Sequence, residues 1–424
     1  MVFEEQVNNR RAIEALRNGV PNRDAVRALG CSQPKIETAF IKKLDAADEM
    51  LVSEEGRNEG ILIAGDFGSG KSHLLEHLKA LALARNCVCS KVVVSKETPL
   101  YDPVKLYRAA AESAVIAGKR GNALTEAANT LMRHSNSLAY GDFYRWAHED
   151  TSLNRLFPAS LFLLQRMAND PEVSNRIIRF LCGDKINLSE IKRYLRICGE
   201  QATYRFDRIN IYDLALQRFK FVSRLFAAAG FGGWVLLIDE VELMARYSLM
   251  QRARSYAEIA RWMGKLQTSD MLGITTVLAI TEDFGSAVID GKDDLEKAPN
   301  KLRASASEAH RNLAVDAEKG IKVIREDILL LRRPDDEDIR RTYEKVRSIH
   351  AAAYNWDPPT LPEARAAGSR MRQHVRGWIT RWDLNRLDAQ YRPVIRVEEI
   401  TADYSPDPDL ESGPEDDGEG RELA

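Results

Sequence analysis

Apolar positions along the chain fall into three regimes. Up to about residue 50 they recur at helical spacing. RRAIEALRNG closes on Gly19, Pro21-Asn22 reopens the chain at RDAVRALG, and after Gly30 the residues Ile36, Ala39, Phe40 and Leu44 share a face. From Gly60 onward, short apolar runs alternate with helical stretches. Ile61–Ala64, Lys91–Val94, Val235–Ile238, Thr275–Ile280 and Ile328–Leu331 read as buried strands. Ser72–Arg85 reads as a helix carrying Leu74, Leu75, Leu78, Leu81 and Ala82 on one side, and nearly all of 103–229 is helical in pattern. Past Pro334 the pattern is helical again, with Asp335 as N-cap and Asp338 three residues on. Strands separated by helices predict an α/β fold whose mainly parallel sheet is covered on both faces. The expected organisation is an N-terminal helical segment (1–50) and an α/β domain (51–333) with a large helical insertion at about 103–230. A helical domain (334–402) and a tail (403–424) follow.

Composition adds little to this picture until it is read by region. At 424 residues, 44% hydrophobic and 29% charged, the chain has the make-up of a soluble globular protein of two or three domains. No apolar run approaches the roughly 20 residues needed to span a bilayer, and the acidic N-terminus is unlike a secretory signal. A cytoplasmic protein with no membrane partner is expected. The net charge of −2 conceals an asymmetry, because DYSPDPDLESGPEDDGEGRELA holds nine acids and one arginine, leaving the rest of the chain net basic. So few apolar residues cannot offset the entropy of ordering, which predicts a disordered tail. The five cysteines (Cys31, Cys87, Cys89, Cys182, Cys198) are scattered, and Cys87-x-Cys89 lacks the C-x-x-C spacing of zinc and redox motifs. Cys87 and Cys89, directly before the apolar run Val92–Val94, read as buried thiols rather than metal ligands.

The candidate chemistry lies at the ends of the strands. Gly65-Asp66-Phe67-Gly68-Ser69-Gly70-Lys71-Ser72 fits G-x-x-x-x-G-K-[ST], with a strand before it and an amphipathic helix after it. Glycines let the backbone curl so that successive N–H groups face phosphate oxygens. Lys71 reaches the β and γ phosphates, the Ser72 hydroxyl is placed for Mg²⁺, and the helix beginning there, with His73 in its first turn, adds its positive end. ATP and Mg²⁺ are the expected cofactors. Gly233-Trp234-Val235-Leu236-Leu237-Ile238-Asp239-Glu240 is an apolar run ending in two acids. A buried strand would deliver Asp239 to its C-terminal edge as a Mg²⁺ ligand, and Glu240 beside it is the candidate general base for an attacking water. Thr281, at the end of the Thr275–Ile280 run, is a candidate to orient that water or touch the γ-phosphate.

These features resemble the additional-strand class of P-loop ATPases, and within it the AAA+ proteins. The resemblance implies that Lys71 and Ser72 belong to Walker A, Asp239 and Glu240 to Walker B, and that Thr281 is sensor 1. It makes the domain after Pro334 an AAA+-like lid, where GSRMRQHVRGWI offers Arg370 and, preferred, Arg372 as sensor 2. Two departures stand out. The 168 positions between Lys71 and Asp239 exceed a minimal core, and no arginine-finger box is evident; Arg303 in APNKLRAS is the candidate, with Arg311 and Arg325 as rivals.

A finer resemblance lies outside the generic motifs. RRAIEALRNGVPNRDAVRALG, GDFGSGKSHLLEHL, VVVSKETPLYDPVKLYRAA and GWVLLIDEVELM together resemble the P-loop ATP-binding proteins of bacteriophage-exclusion (BREX) systems, the BrxD type. This implies a bacterial defence system whose other proteins are partners. Double-stranded DNA is a further candidate partner. The helix–LGCS–helix near residue 30 is similar to a helix-turn-helix, but its turn signal is short and generic, which favours a plain helical hairpin packed on the nucleotide domain. Arginines from Arg365 through Arg370, Arg372, Arg376, Arg381 and Arg386 to Arg392 and Arg396 interleave with Trp378, Trp382 and Tyr391. The helical spacing of Met371, Val375, Trp378, Ile379 and Trp382 assigns the tryptophans to a core. Three readings stay open: an ATPase that remodels DNA or protein partners, a nucleotide-gated binding switch able to form homo-oligomers, and a DNA-binding protein.

Overall fold

The computed structural model describes residues 2–53, 59–119, 121–266, 271–305, 307–361, 370–388, 390 and 403–411. Three helices come first: α1 (Val2–Asn18), α2 (Arg23–Leu29) and α3 (Pro34–Ser53). Then β1 (Ile61–Ala64), α4 (Lys71–Ala84) and β2 (Val88–Val93) begin the α/β part. Seven helices, α5 to α11, occupy the stretch from Pro103 to Ala228. The chain returns through β3 (Trp234–Asp239), α12 (Leu249–Trp262), β4 (Ile274–Ile280), α13 (Asp294–Arg303), α14 (Glu308–Glu326) and β5 (Ile328–Leu330). It ends with α15 (Asp336–Tyr354), α16 (Met371–Leu387) and the one-turn α17 (Pro408–Glu411).

The five strands form one wholly parallel sheet in the order β2-β3-β4-β1-β5. Every residue of β1, β3 and β4 is buried, as the unbroken apolar runs require of central parallel strands. Side chains alternate between the faces. Ile61, Ile63, Val235, Leu237, Val277 and Ala279 meet α4 and the α3 residues Ile36, Phe40 and Leu44. Leu62, Trp234, Leu236 and Leu278 face the core shared with the insertion, α12 and α14. Trp234 donates its indole N–H to Ser90 at 2.8 Å, and Ser90 donates to the Ala110 carbonyl at 2.6 Å, so both of these buried side chains are satisfied.

Three expectations change. Strand β2 begins at Val88, so Cys89 lies inside it instead of before it; both Cys87 and Cys89 are buried thiols. The first helices do not stand apart. Ala12, Ile13 and Leu16 of α1 and Ala25 of α2 share a core with Val346, Ile349, Val375, Ile379 and Trp382. The helical domain after Pro334 is therefore completed by the chain's other end, while α3 alone packs on the sheet. Residues 403–411, assigned above to a disordered tail, are held in place: Tyr404 packs on Phe284 and Asp407 pairs with Arg246 at 2.8 Å. One aromatic and one placed acid supply the anchoring that average composition hides.

Candidate nucleotide-binding site

The loop between β1 and α4 takes the shape its glycines permit. Gly68 (φ +75°) and Gly70 (φ +104°) are both left-handed, a conformation that strains any residue with a Cβ. Gly65 is needed for space, since a Cβ there would lie 2.6 Å from the Ser69 hydroxyl. The Gly70 backbone starts α4 with no side-chain cap, leaving its first N–H groups for a ligand. Lys71 is 8% exposed; its ammonium donates to the Gly65 carbonyl at 2.8 Å and lies 3.5 Å from the Glu242 carboxylate.

Across the sheet, β3 delivers Asp239 in register with Val93 of β2, and the Lys91 ammonium stands 3.7 Å from its carboxylate. Asp239 is 3% exposed and accepts the Glu240 N–H at 3.1 Å. Glu240 itself sits at φ 58°, ψ 37°, a left-handed conformation uncommon for a residue with a side chain and concentrated at functional sites. Lost hydration, then the Asp239 charge, raises the Glu240 carboxyl pKa. The turn that follows carries Glu242 inward. Burial raises its pKa against the pull of Lys71, and its second oxygen has no hydrogen-bond partner.

These groups wall one cavity of about 550 Å³, within the range of small-molecule sites. Asp66 through His73 line it, as do Asp239, Glu240 and Arg372. The His73 ring contacts the Gly30 carbonyl at 2.7 Å, and burial lowers its pKa, so it is a neutral wall. Arg372, at the start of α16, presses its guanidinium on Gly19, where a Cβ would lie 2.3 Å away. A Cβ on Gly68 would sit 3.5 Å from Arg370 Cδ and 3.7 Å from Arg372 Cβ. The helical domain thus abuts the phosphate loop through the arginines the sequence singled out.

Gly65 stands behind the cavity lining, and Thr281 and Arg303 are not brought to it. Thr281 is 2% exposed, does not line it, and lies 2.6 Å from the Tyr404 hydroxyl. Arg303 is exposed on α13 and pairs with Glu318 at 2.6 Å; its rival Arg325 pairs with Asp290. Of the arginine-aromatic stretch, Arg365, Tyr391, Arg392 and Arg396 lie outside the described residues. Trp382 is fully buried and Trp378 packs on Tyr343 at 5.1 Å, so these rings serve the core, as their spacing predicts. Sequence reasoning missed Glu242 and Tyr404. The only signal for Glu242 was the third acid in DEVE; Tyr404 had none beyond being the aromatic of an acidic run.

The residues fit a nucleotide triphosphate. The buried Ser69 hydroxyl has no partner within the protein, Lys71 faces the same space, and the glycines leave no Cβ in the cradle. Among the described residues, Cys31, Glu37 and His77 place potential ligand atoms within 4.8 Å of one another. His77 already pairs with Glu37 at 3.4 Å, and burial pushes the Cys31 thiol up to about 11, keeping it protonated at neutral pH.

A parallel α/β sheet with a glycine loop at one strand end and acids two strands away is compatible with a P-loop NTPase. The family described as BREX system ATP-binding protein BrxC/D matches residues 5–137 and 160–377, and the chain belongs to it. It is accordingly an ATP-binding component of BREX phage defence, with the other proteins of that system as partners. No curated protein and no solved structure matches the chain. Among the described residues, no helix is long and apolar enough to cross a membrane.

Proposed function

We infer that this chain is a cytoplasmic Mg-ATPase of the AAA+ kind, BrxD-type within its family, that converts hydrolysis into remodelling of DNA or partner proteins. The observation that carries this is one cavity lined by residues 66–72 of the loop and by Asp239 and Glu240 at the end of β3. The position of β4 between β1 and β3 supports the additional-strand class. Loop N–H groups and Lys71 bind the phosphates, and Arg372 brings the helical domain to bear on them as a lid. Mg²⁺, held by Ser72 and Asp239, would supply charge neutralisation at the phosphates. Glu240 takes the proton of the attacking water. Its raised pKa sets the sign of the pH response: only the carboxylate accepts a proton. Turnover therefore falls as pH drops through a value above the usual ~4.3 of glutamate.

Phosphate release by wild type and Glu240→Gln, with and without duplex DNA, tests the reading. Glu240→Gln should keep ATP affinity and lose turnover by about 10²-fold or more. Equal turnover in the two proteins would overturn it.

A second reading, a nucleotide-gated switch with negligible turnover, is favoured by one feature. Lys345 and Arg372 of the helical domain line the same cavity as the loop, so nucleotide occupancy alone would fix that domain. Under it, Glu240→Gln and wild type would recruit partners, or self-associate, equally well.

A further inference from the structure

The segment 403–411 returns to the C-terminal edge of the sheet and reaches the site from the β4 side. The Tyr404 hydroxyl lies 2.6 Å from Thr281 Oγ1 and donates to Asp283 at 2.7 Å. Since the phenol's one proton goes to the carboxylate, the Thr281 hydroxyl is the donor in the other bond. The result is a directed chain, Thr281 to Tyr404 to Asp283. It leaves Thr281 with no proton for a phosphate oxygen, and it is Tyr404, not Thr281, that lines the cavity. Burial raises the phenol's pKa, so it stays neutral.

Several contacts hold this tyrosine. Lys292 donates to the Tyr404 carbonyl at 2.6 Å and to the Ala245 carbonyl at 2.8 Å. Arg246 pairs with Asp407 at 2.8 Å, and the Asp407 N–H donates to the Arg246 carbonyl at 3.2 Å. Ala245 and Arg246 end the turn that carries Glu242, whereas Thr281 and Asp283 directly follow β4. The segment therefore ties together the two strand edges that frame the acids.

We propose that Tyr404 is a positioning residue for ATP hydrolysis, supplied by the acidic C-terminal segment, at the cavity-facing place that the sequence assigns to Thr281. This rests on the hydrolysis reading above. Tyr404 is a wall and not a plug, because about 550 Å³ remains open with the ring in place. The ring's contact with Phe284 would survive in phenylalanine; the hydroxyl's two bonds would not.

The test is steady-state hydrolysis and equilibrium ATP binding by full-length wild type, Tyr404→Phe, Thr281→Val and the double variant. Tyr404→Phe should lower kcat about tenfold while ATP affinity stays within about twofold. Thr281→Val should match it, and the double variant should be no worse than either, since both residues act through one chain of bonds. Unchanged kcat in Tyr404→Phe, a raised kcat, or a parallel loss of ATP binding would each overturn the proposal. Absence of turnover in wild type would instead defeat the hydrolysis reading itself, and this inference with it.

Discussion

The phosphate loop and the helical domain meet at Gly68, yet they are built in opposite ways. The loop is eight consecutive residues, and its shape follows from backbone sterics at Gly68 and Gly70. The helical domain joins residues more than three hundred positions apart. Arg10 donates to the Ala353 carbonyl at 2.9 Å, Arg17 pairs with Asp383 at 2.7 Å, and Ile13 shares a core with Ile379 and Trp382. The difference teaches where the site is rigid and where it is adjustable. The cradle is fixed locally, while the arginine that faces it depends on α1 and α16 staying together.

The largest effect that could break this comparison comes from the long-range side. Trp382 is fully buried and its indole donates to the Pro359 carbonyl at 3.0 Å, so Trp382→Ala should destabilise the helical domain by about 3–5 kcal/mol. Denaturant unfolding followed by hydrogen exchange should show α1 and α16 losing protection together, with β1 and β3 unaffected. Protection kept in α1 would mean that the ends are not one unit.

A smaller effect sharpens the local side. Glu242 pairs with the Lys71 ammonium at 3.5 Å, and its second oxygen has no hydrogen-bond partner. Glu242→Gln removes the carboxylate charge while keeping the shape, so ATP should bind about three- to tenfold more tightly in a fluorescence titration. Weaker binding would show that Glu242 organises Lys71 for the nucleotide instead of competing with it.

How much of this could be read from the sequence follows the same division. The strands were legible because a central parallel strand must be apolar on both faces, and the loop because few residue types tolerate its angles. Asp239 and Glu240 followed from the end of one such strand. The start of β2 was hidden, since Cys89 and Ser90 are not apolar in the usual sense though both are buried. The partner of α1 was illegible because helical periodicity shows which face is buried and not what buries it. Tyr404 was lost in the averaging that marked 403–424 as disordered, and Thr281, correctly placed at a strand end, was covered by it.

The central claim is that the main-chain cradle and the Lys71 ammonium grip the triphosphate of ATP. Calorimetric titration of ATP into wild type and Lys71→Ala tests it most directly. Saturable binding by wild type is expected, with a loss of about tenfold to a hundredfold in affinity on removing the one ammonium from the cradle. Equal affinity in the two proteins would contradict it.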